Sequence, residues 1–500
     1  MEPGFVFAET PEQAKQGPVE ECGVRTTNYP TIKNAPLPAD ASGSHTFNNY
    51  LMFAILLGVP YYLKYKLGGG KYTWLFFIVL LFLPLLTGFW YLNSVLGGRL
   101  NSKAKYPGKP IDTYIKFKNP ELAQKYAGSK IPLETFQELY IAGEVDFKGD
   151  ALDVMEFRHD WSSFHFTLSL FRFFLFGMIP ELLWHSRSQD EDQIRDNYDR
   201  GDDFYGFFLG PRMVYTSGLI GDIEKEESLE EMQDNKMRVI CEKIGLKKGD
   251  NMLDIGCGWG TLSAFASQNY GAKVTGATLA RTQTKWGNAA LKELGCTDSR
   301  ILCMDYRDIP KPTGGYDKIT CVEMAEHVGI RRFPSFLNQI KDTLQDDGIF
   351  YMQVAGLRKC WQYEDLIWGL FMNKYIFPGA DASTPLAWYI SQLESAGFEV
   401  ESVDNVGVHY SATLWRWYRN WLANKDKVLA KYGDRWYRMW VLFLAWSVIV
   451  SRQGGATCWQ IVARKNINSF HRIERQPVQY GLKMKSSVEE KWSGFPYAKK

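Results

Sequence analysis

No Cys-x-x-Cys pair occurs in this chain. Its eight cysteines stand at irregular spacing, which excludes a zinc ribbon or thioredoxin-type motif and gives no disulfide framework. Nor do its seven histidines form a His-x-x-x-His set, so no metal site is expected. Charge of one sign is missing as well. Lys and Arg number 58 against 56 Asp and Glu, and without a basic field nucleic acid is not an expected partner. The first 45 residues are polar, with no apolar stretch of the kind a cleavable signal peptide needs, and read as a disordered tail. What the chain does have is apolar bulk. Of its 500 residues 45% are hydrophobic and 15% aromatic, enough for two or three structural units with real cores.

Part of that bulk lies in long uncharged runs. No charged residue occurs between Lys71 and Arg99, and residues 73–96 are long enough to cross about 30 Å of hydrocarbon. Residues 49–63 form a shorter uncharged run interrupted by Pro60. The linker between them is too short for a domain. Residues 46–98 are therefore expected to form a two-helix transmembrane anchor, a hairpin with both ends on one side of a lipid bilayer. Tyr61, Tyr62, Trp74, Trp90 and Tyr91 sit near its ends, where aromatic belts belong. Lys and Arg flank both sides and orient it weakly; cysteines without a disulfide pattern favour a body that faces the cytosol. Residues 99–190 read as a connector, with an apolar stretch at 164–184 that favours an interfacial or substrate-channel helix.

From about residue 191 to the end, strands and helices alternate. The run Met252-Leu-Asp-Ile-Gly-Cys-Gly-Trp-Gly260 carries an apolar strand into a glycine turn and then a helix. Such a turn lets a ligand lie against bare backbone, beside the unpaired amides of a helix N-terminus. A dinucleotide fingerprint would place its third glycine where Thr261 stands, and an acid where Thr278 ends the next strand. The pattern fits S-adenosylmethionine better. Strands at 252–255, 273–277, 300–304, 316–322 and 349–354, with a turn at Asp346-Asp-Gly348 before the last, predict an α/β fold with a parallel, doubly wound, Rossmann-like sheet. Asp254, Thr278, Asp305 and the acids Glu323 and Glu326 fall at its carboxyl edge, where ligands bind.

Eight ordered segments within residues 190–465 resemble the cyclopropane fatty acid synthase and mycolic acid methyltransferase family. They include Asn197-Tyr-Asp-Arg-Gly-Asp-Asp-Phe-Tyr205, Met213-Val-Tyr-Thr-Ser217, the glycine turn, Gly276-Ala-Thr-Leu-Ala-Arg-Thr-Gln283, Met324-Ala-Glu-His-Val-Gly329 and Val406-Gly-Val-His-Tyr410. The resemblance implies a class I methyltransferase domain over residues 191–500, with insertions that bind lipid. Joined to an N-terminal anchor, it is similar to the fungal sphingolipid C9-methyltransferases. That likeness implies glucosylceramide as the membrane lipid substrate and the endoplasmic reticulum as the location. Donor-binding positions carried over are Tyr215, Thr216, Asp254, Gly256, Cys257, Gly258, Gly260, Thr278, Leu279, Gln283, Tyr306 and Arg307.

Members of the family hold a bicarbonate ion as base. The matching positions here are Glu326 and Tyr410, with Ser217 and Gln353 where the family has Cys and His. Ser and Gln still donate hydrogen bonds to an anion, but the set has changed. Glu323 stands where the bacterial pattern has glycine. Beside Glu326, it is a candidate protein base, one carboxylate raising the other's pKa. Two other readings stay open: a cyclopropane synthase acting on phospholipid acyl chains, and a membrane-tethered lipid-binding protein without catalysis.

Overall fold

The computed structural model describes residues 29–34, 42–98, 106–180, 201–380 and 383–469. Most of the expected N-terminal tail and the segment 197–200 of the first family motif lie outside the described residues.

Two helices open the fold. Asn48 caps the first, α1 (Asn49–Lys66), by accepting from the Leu51 amide, and Gly70 precedes the second, α2 (Lys71–Leu96). Trp74 of α2 donates to the Leu57 carbonyl of α1, and its ring meets Tyr61 edge-on. The two helices thus form a hairpin whose apolar side chains, among them Phe53, Leu57, Phe76 and Val79, are exposed. By length and composition α2 alone among the described helices suffices to cross a membrane. At its far end α2 is tied to the body. Trp90 stacks on Trp361 with centroids 5.7 Å apart, the Asn93 side chain accepts from Tyr363, and Ser94 accepts from the Phe166 amide.

Residues 106–180 hold short strands and helices, among them α3 (Leu133–Ile141) and α4 (Leu168–Phe173), which runs on into a π-helical turn, Phe174–Met178. Their apolar side chains share one core with residues far along the chain: Phe136 and Trp161 belong to the same buried cluster as Trp417, Trp440 and Trp446.

After α5 (Asp202–Leu209) and α6 (Leu229–Lys243) comes the sheet. Its strands are β1 (Asn251–Ile255), β2 (Lys273–Thr278), β3 (Arg300–Cys303), β4 (Tyr316–Val322), β5 (Leu344–Leu357), β6 (Phe398–Asn405) and β7 (Ala456–Lys465). They lie in the order β6-β7-β5-β4-β1-β2-β3. The first five are parallel, as alternation with α7 (Thr261–Tyr270), α8 (Arg281–Glu293) and α9 (Phe333–Thr343) requires. β7 enters antiparallel between β5 and β6. The order in which the chain adds strands reverses between β1 and β4, the switch point at which such folds bind ligands. One local expectation changes. The turn foreseen at Asp346-Asp-Gly348 is absorbed into β5: Leu344 pairs with Tyr316 and Ile349 with Lys318, so residues 345–348 bulge out.

Beyond β5 lie α10 (Tyr363–Phe371), which ends in a second π-helical turn, Met372–Ile376, then α11 (Leu386–Ser395), α12 (Gly407–Ala423) and α13 (Asp434–Arg452). The aromatic stripe on α12 and α13 is core: Trp417, Trp421, Trp440 and Trp446 are all fully buried.

Candidate active site

A cleft of about 1210 Å³, counting its open mouth, lies over the carboxyl ends of β1 to β4. Its floor is the glycine turn, and three glycines there answer three different demands. Gly256 has φ +72°, and a Cβ on it would come 2.5 Å from Met324. Gly260, at φ +78°, begins α7 and sits so close to Ile301 that a Cβ would lie 2.1 Å from its side chain. Gly258 has φ +54°, yet a Cβ there would meet nothing within 4 Å. The first two pack; the third faces open space, as a turn that cradles a ligand must.

Eleven of the twelve expected donor-binding residues line this cleft; Gly260 supports it from behind. Thr278, ending β2, donates to the Gln283 side chain at the start of α8, 2.7 Å away. Arg307 clasps Asp305 with both arms, at 2.7 and 2.6 Å, and its guanidinium lies over the Tyr306 ring. Asp254 is buried, and its two oxygens accept from Thr320 and Ser263 at 2.8 and 3.0 Å. Burial pushes its pKa up to about 6 despite those bonds. With both oxygens engaged, Asp254 anchors the turn to β4 and α7. Burial and the Asp254 charge raise the Cys257 thiol well above its usual range, which leaves it a packing group rather than a nucleophile.

The five expected catalytic residues come together unevenly. Gln353 and Tyr410 converge on Glu323: Gln353 donates to one carboxylate oxygen at 2.6 Å and Tyr410 to the other at 2.7 Å. Ser217 joins them through its backbone amide, 3.2 Å from the carboxylate, while its hydroxyl donates to the Gly218 carbonyl. The Cys458 thiol of β7 adds a longer contact at 3.7 Å. Gln353 cannot turn away, because its own carbonyl accepts from Tyr351 and Gln460. Three of the four groups expected to grip a free anion, Tyr410, Gln353 and Ser217, therefore grip the side chain of Glu323. Its backbone pays a conformational cost for that position: φ is +52°, a value L-residues rarely adopt. Burial raises the Glu323 pKa, outweighing the bonds from Tyr410 and Gln353 and the nearby charge of Lys236.

Glu326 stands apart. It sits on the turn Ala325–His327 and accepts from the Ala355 amide at 2.5 Å. The expected cause of the raised pKa is thus corrected: burial, not a partner carboxylate, is the largest influence on Glu323.

Lys236 of α6 escaped sequence reading. It lines the cleft, is 2% exposed, and donates to the Thr216 hydroxyl. Burial lowers its pKa to about 8 against the pull of Glu323. Leu229, Met232, Gln233, Lys236, Met237 and Ile240 form the buried face of α6. A lysine on an apolar stripe is the signal that marked it.

Tyr215 closes the cleft with an aromatic box. Its ring lies 5.4 Å from both Tyr205 and Trp417 and 5.9 Å from Phe377, and Tyr410 meets Trp417 edge-on.

A family model described as mycolic acid cyclopropane synthetase matches residues 185–461. Sphingolipid C9-methyltransferase A of Emericella nidulans is 62% identical, over 96% of this chain and 93% of its own. The sphingolipid C9-methyltransferase of Candida albicans is 61% identical, over 97% of each. Among solved structures, the cyclopropane synthase MmaA2 from Mycobacterium tuberculosis superposes with a TM-score of 0.51 at 25% identity, covering 55% of this chain and 98% of that one.

Proposed function

The chain belongs to the mycolic acid cyclopropane synthetase family and to the sphingolipid C9-methyltransferases within it, and from that premise we propose that it methylates C9 of the sphingoid base of a membrane sphingolipid, glucosylceramide in particular. It is an S-adenosylmethionine-dependent methyltransferase. The open backbone at Gly258 beside the coupled pairs Thr278–Gln283 and Asp305–Arg307 fits that donor. When bound, S-adenosylmethionine supplies an electrophilic methyl group on a sulfonium.

The observation that carries the reading is the placement of Glu323, a carboxylate at the wall of the donor cleft and bonded to a tyrosine of the aromatic box. An isolated alkene is a poor nucleophile, so the chain's task is alignment and exclusion of water. Methylation leaves a cationic carbon in the lipid tail, which the ring of Tyr215 on the cleft wall stabilises as aromatic faces do other cations, with Trp417 packed behind it and against Tyr410. A proton must then leave. Loss from the methylated carbon gives a branched alkene, whereas loss from the new methyl closes a cyclopropane ring. We assign the acceptor role to Glu323, in place of bicarbonate, with Tyr410 and Gln353 holding its carboxylate in line and Ser217 supplying an amide. Glu326 then braces the site through Ala355.

The hairpin α1–α2 is read as the membrane anchor, with the endoplasmic reticulum as its membrane and the catalytic body on the cytosolic side, where the donor is soluble. Exposed apolar side chains along both helices and the aromatic cluster at their base support this reading.

The test has two parts. Gly258→Val places a branched side chain at positive φ in the open space of the turn; calorimetry should show donor binding abolished while the protein still fractionates with membranes. Lipid mass spectrometry of a strain without the gene should show a sphingoid base lighter by one methyl. Normal donor affinity in the variant, or unchanged lipids in the deletion strain, would overturn the reading.

A further inference from the structure

A second opening lies where the hairpin meets the body. It measures about 730 Å³ with its mouth, within the usual range for small-molecule pockets. Leu86 and Trp90 of α2 form one wall, Phe174 and Met178 of the first π-helical turn a second, and Gly369 and Leu370 of α10 a third. Ser383 is its single polar lining residue. Seven of its twelve lining residues precede residue 185, where the family match begins. The N-terminal part of this chain therefore builds most of a pocket that the family region alone would lack. On the helix and π-helical turn that carry Phe171, Phe174 and Met178, Leu168 and Phe176 are 74% and 71% exposed, apolar side chains turned outward.

We propose that this pocket binds the second hydrocarbon chain of the lipid substrate, the amide-linked one that is not methylated. The proposal rests on the reading of the protein as a sphingolipid methyltransferase. Such a lipid has two tails joined near the headgroup. Once one tail enters the cleft at Glu323, the other must find apolar cover within reach. The chain connects the two places over short spans. Gln353, bonded to Glu323, and Leu357, lining the pocket, lie four residues apart on β5, roughly 13 Å at strand rise. On the other side, α10 passes from Leu370 through the second π-helical turn to Phe377, whose ring packs on Tyr215. π-Helical turns such as the two beside this pocket are frequent at functional sites. Leu86 and Trp90 make α2, the helix long enough to span a bilayer, part of the pocket wall, so on this proposal a tail passes from the hydrocarbon layer into the pocket along that helix.

Gly369 gives the means of testing this. A Cβ there would touch only the Leu357 side chain, at an ordinary 3.5 Å, so a larger residue grows into the pocket. The full-length protein is assayed with a two-chain ceramide-type lipid and with the free sphingoid base carrying the same double bond. Gly369→Phe should lower turnover of the two-chain lipid at least about tenfold, the scale of a blocked hydrophobic pocket, while the single-chain base and donor affinity stay near native values; Gly369→Ala should behave as native. Equal losses on both lipids with donor binding intact, or no loss on either, would overturn the proposal. A second measurement needs no turnover and no variant. A two-chain lipid with a photoactivatable diazirine at the end of its amide-linked chain should cross-link to residues 166–178 or 357–370 of the native protein. Cross-links confined to the outer faces of α1 and α2 would overturn it. Should the native protein methylate neither lipid, the functional reading falls, and the cross-link still decides whether the pocket takes the chain.

Discussion

Two glutamates are held inside this protein by very different company. Glu364 is fully buried among charges: Arg158 donates to one oxygen at 2.5 Å, His159 approaches the other at 3.2 Å, and the Trp446 indole adds a bond at 3.3 Å. Burial alone would raise its pKa, but Arg158 and His159 outweigh that and hold it well below the usual carboxylate range. Glu323 has a tyrosine, a glutamine and a backbone amide as partners, all neutral, with Lys236 acting only at a distance. There burial wins and the pKa rises. At Glu323 the neutral hydrogen bonds aim the carboxylate without offsetting its burial; at Glu364 the bonded cations do offset it. Glu364 ties the segment at 158–159 to α10 and α13 as a permanent anion. Glu323, half-buried at the wall of the cleft and without a bonded cation, remains able to take a proton.

The largest effect expected from breaking this contrast is at Glu364. Its loss strands Arg158 in the core, and uncoupling a buried pair costs about 3–5 kcal/mol. Glu364→Gln should lower the midpoint of denaturant unfolding accordingly, with the donor affinity of the folded fraction unchanged. Because the folded pKa is depressed, the stabilisation is present above the ordinary carboxylate range and is lost as pH falls toward the depressed value. A cost under about 1 kcal/mol, the scale of an exposed pair, would show that Arg158 finds other partners and that the anchor is not one.

Glu323 should answer in the opposite currency. Glu323→Gln keeps shape and removes the acceptor, so turnover should fall at least about a hundredfold, the usual span for a lost general base. Stability should hold or rise. A raised folded pKa means that the native state loses stability as pH climbs through that value, and an uncharged amide removes this cost. Glu323→Gly should relieve the positive φ and, by restoring the bacterial residue, open the space between Tyr410, Gln353 and Ser217 to a small anion. Partial activity that depends on added bicarbonate is the expected result. Turnover of Glu323→Gln within a few-fold of native would make Glu323 a bystander and move the acceptor to Tyr410 or Glu326.

Sequence marked the cleft over the glycine turn far better than the cage around Glu323, for a physical reason. The turn from β1 to α7, and the residues Thr278 and Gln283, are set by local backbone geometry, which glycine spacing and strand ends record directly. The carboxylate cage is assembled from the loop after α5, β4, β5, α12 and β7, and no local pattern records their meeting. Ser217 was legible as a position, but not that its amide would bond while its hydroxyl turned to Gly218. Cys458 was invisible because β7 returns antiparallel beside β5 from a hundred residues away. Likewise, nothing local in residues 106–180 records that Phe136 and Trp161 pack in one core with the tryptophans of α12 and α13.

The smallest effect, and the sharpest probe of the contrast, is at Lys236. Among the described residues it is the cation that acts on Glu323, and it reaches the wall of the cleft by bonding to Thr216. Burial lowers its pKa to about 8, so it carries charge at neutral pH and loses it just above. Losing that charge removes the influence that favours ionised Glu323 and withdraws a proton from the Thr216 bond. The rate should therefore fall on an alkaline limb near pH 8. Stability should move the other way. Between about 8 and the ordinary lysine value of 10.5 the unfolded chain binds the extra proton and the native state does not, so the fold gains stability as pH rises across that window. Opposed trends in rate and stability distinguish loss of a functional charge from alkaline unfolding. Lys236→Arg keeps a charge that no longer titrates in this range; its profile should run flat past pH 9 at a near-native plateau. Lys236→Met should lose the limb too, but with a reduced rate at every pH. A native alkaline limb that survives unchanged in both variants would show that Glu323 keeps its ionisation without Lys236, through its neutral cage alone.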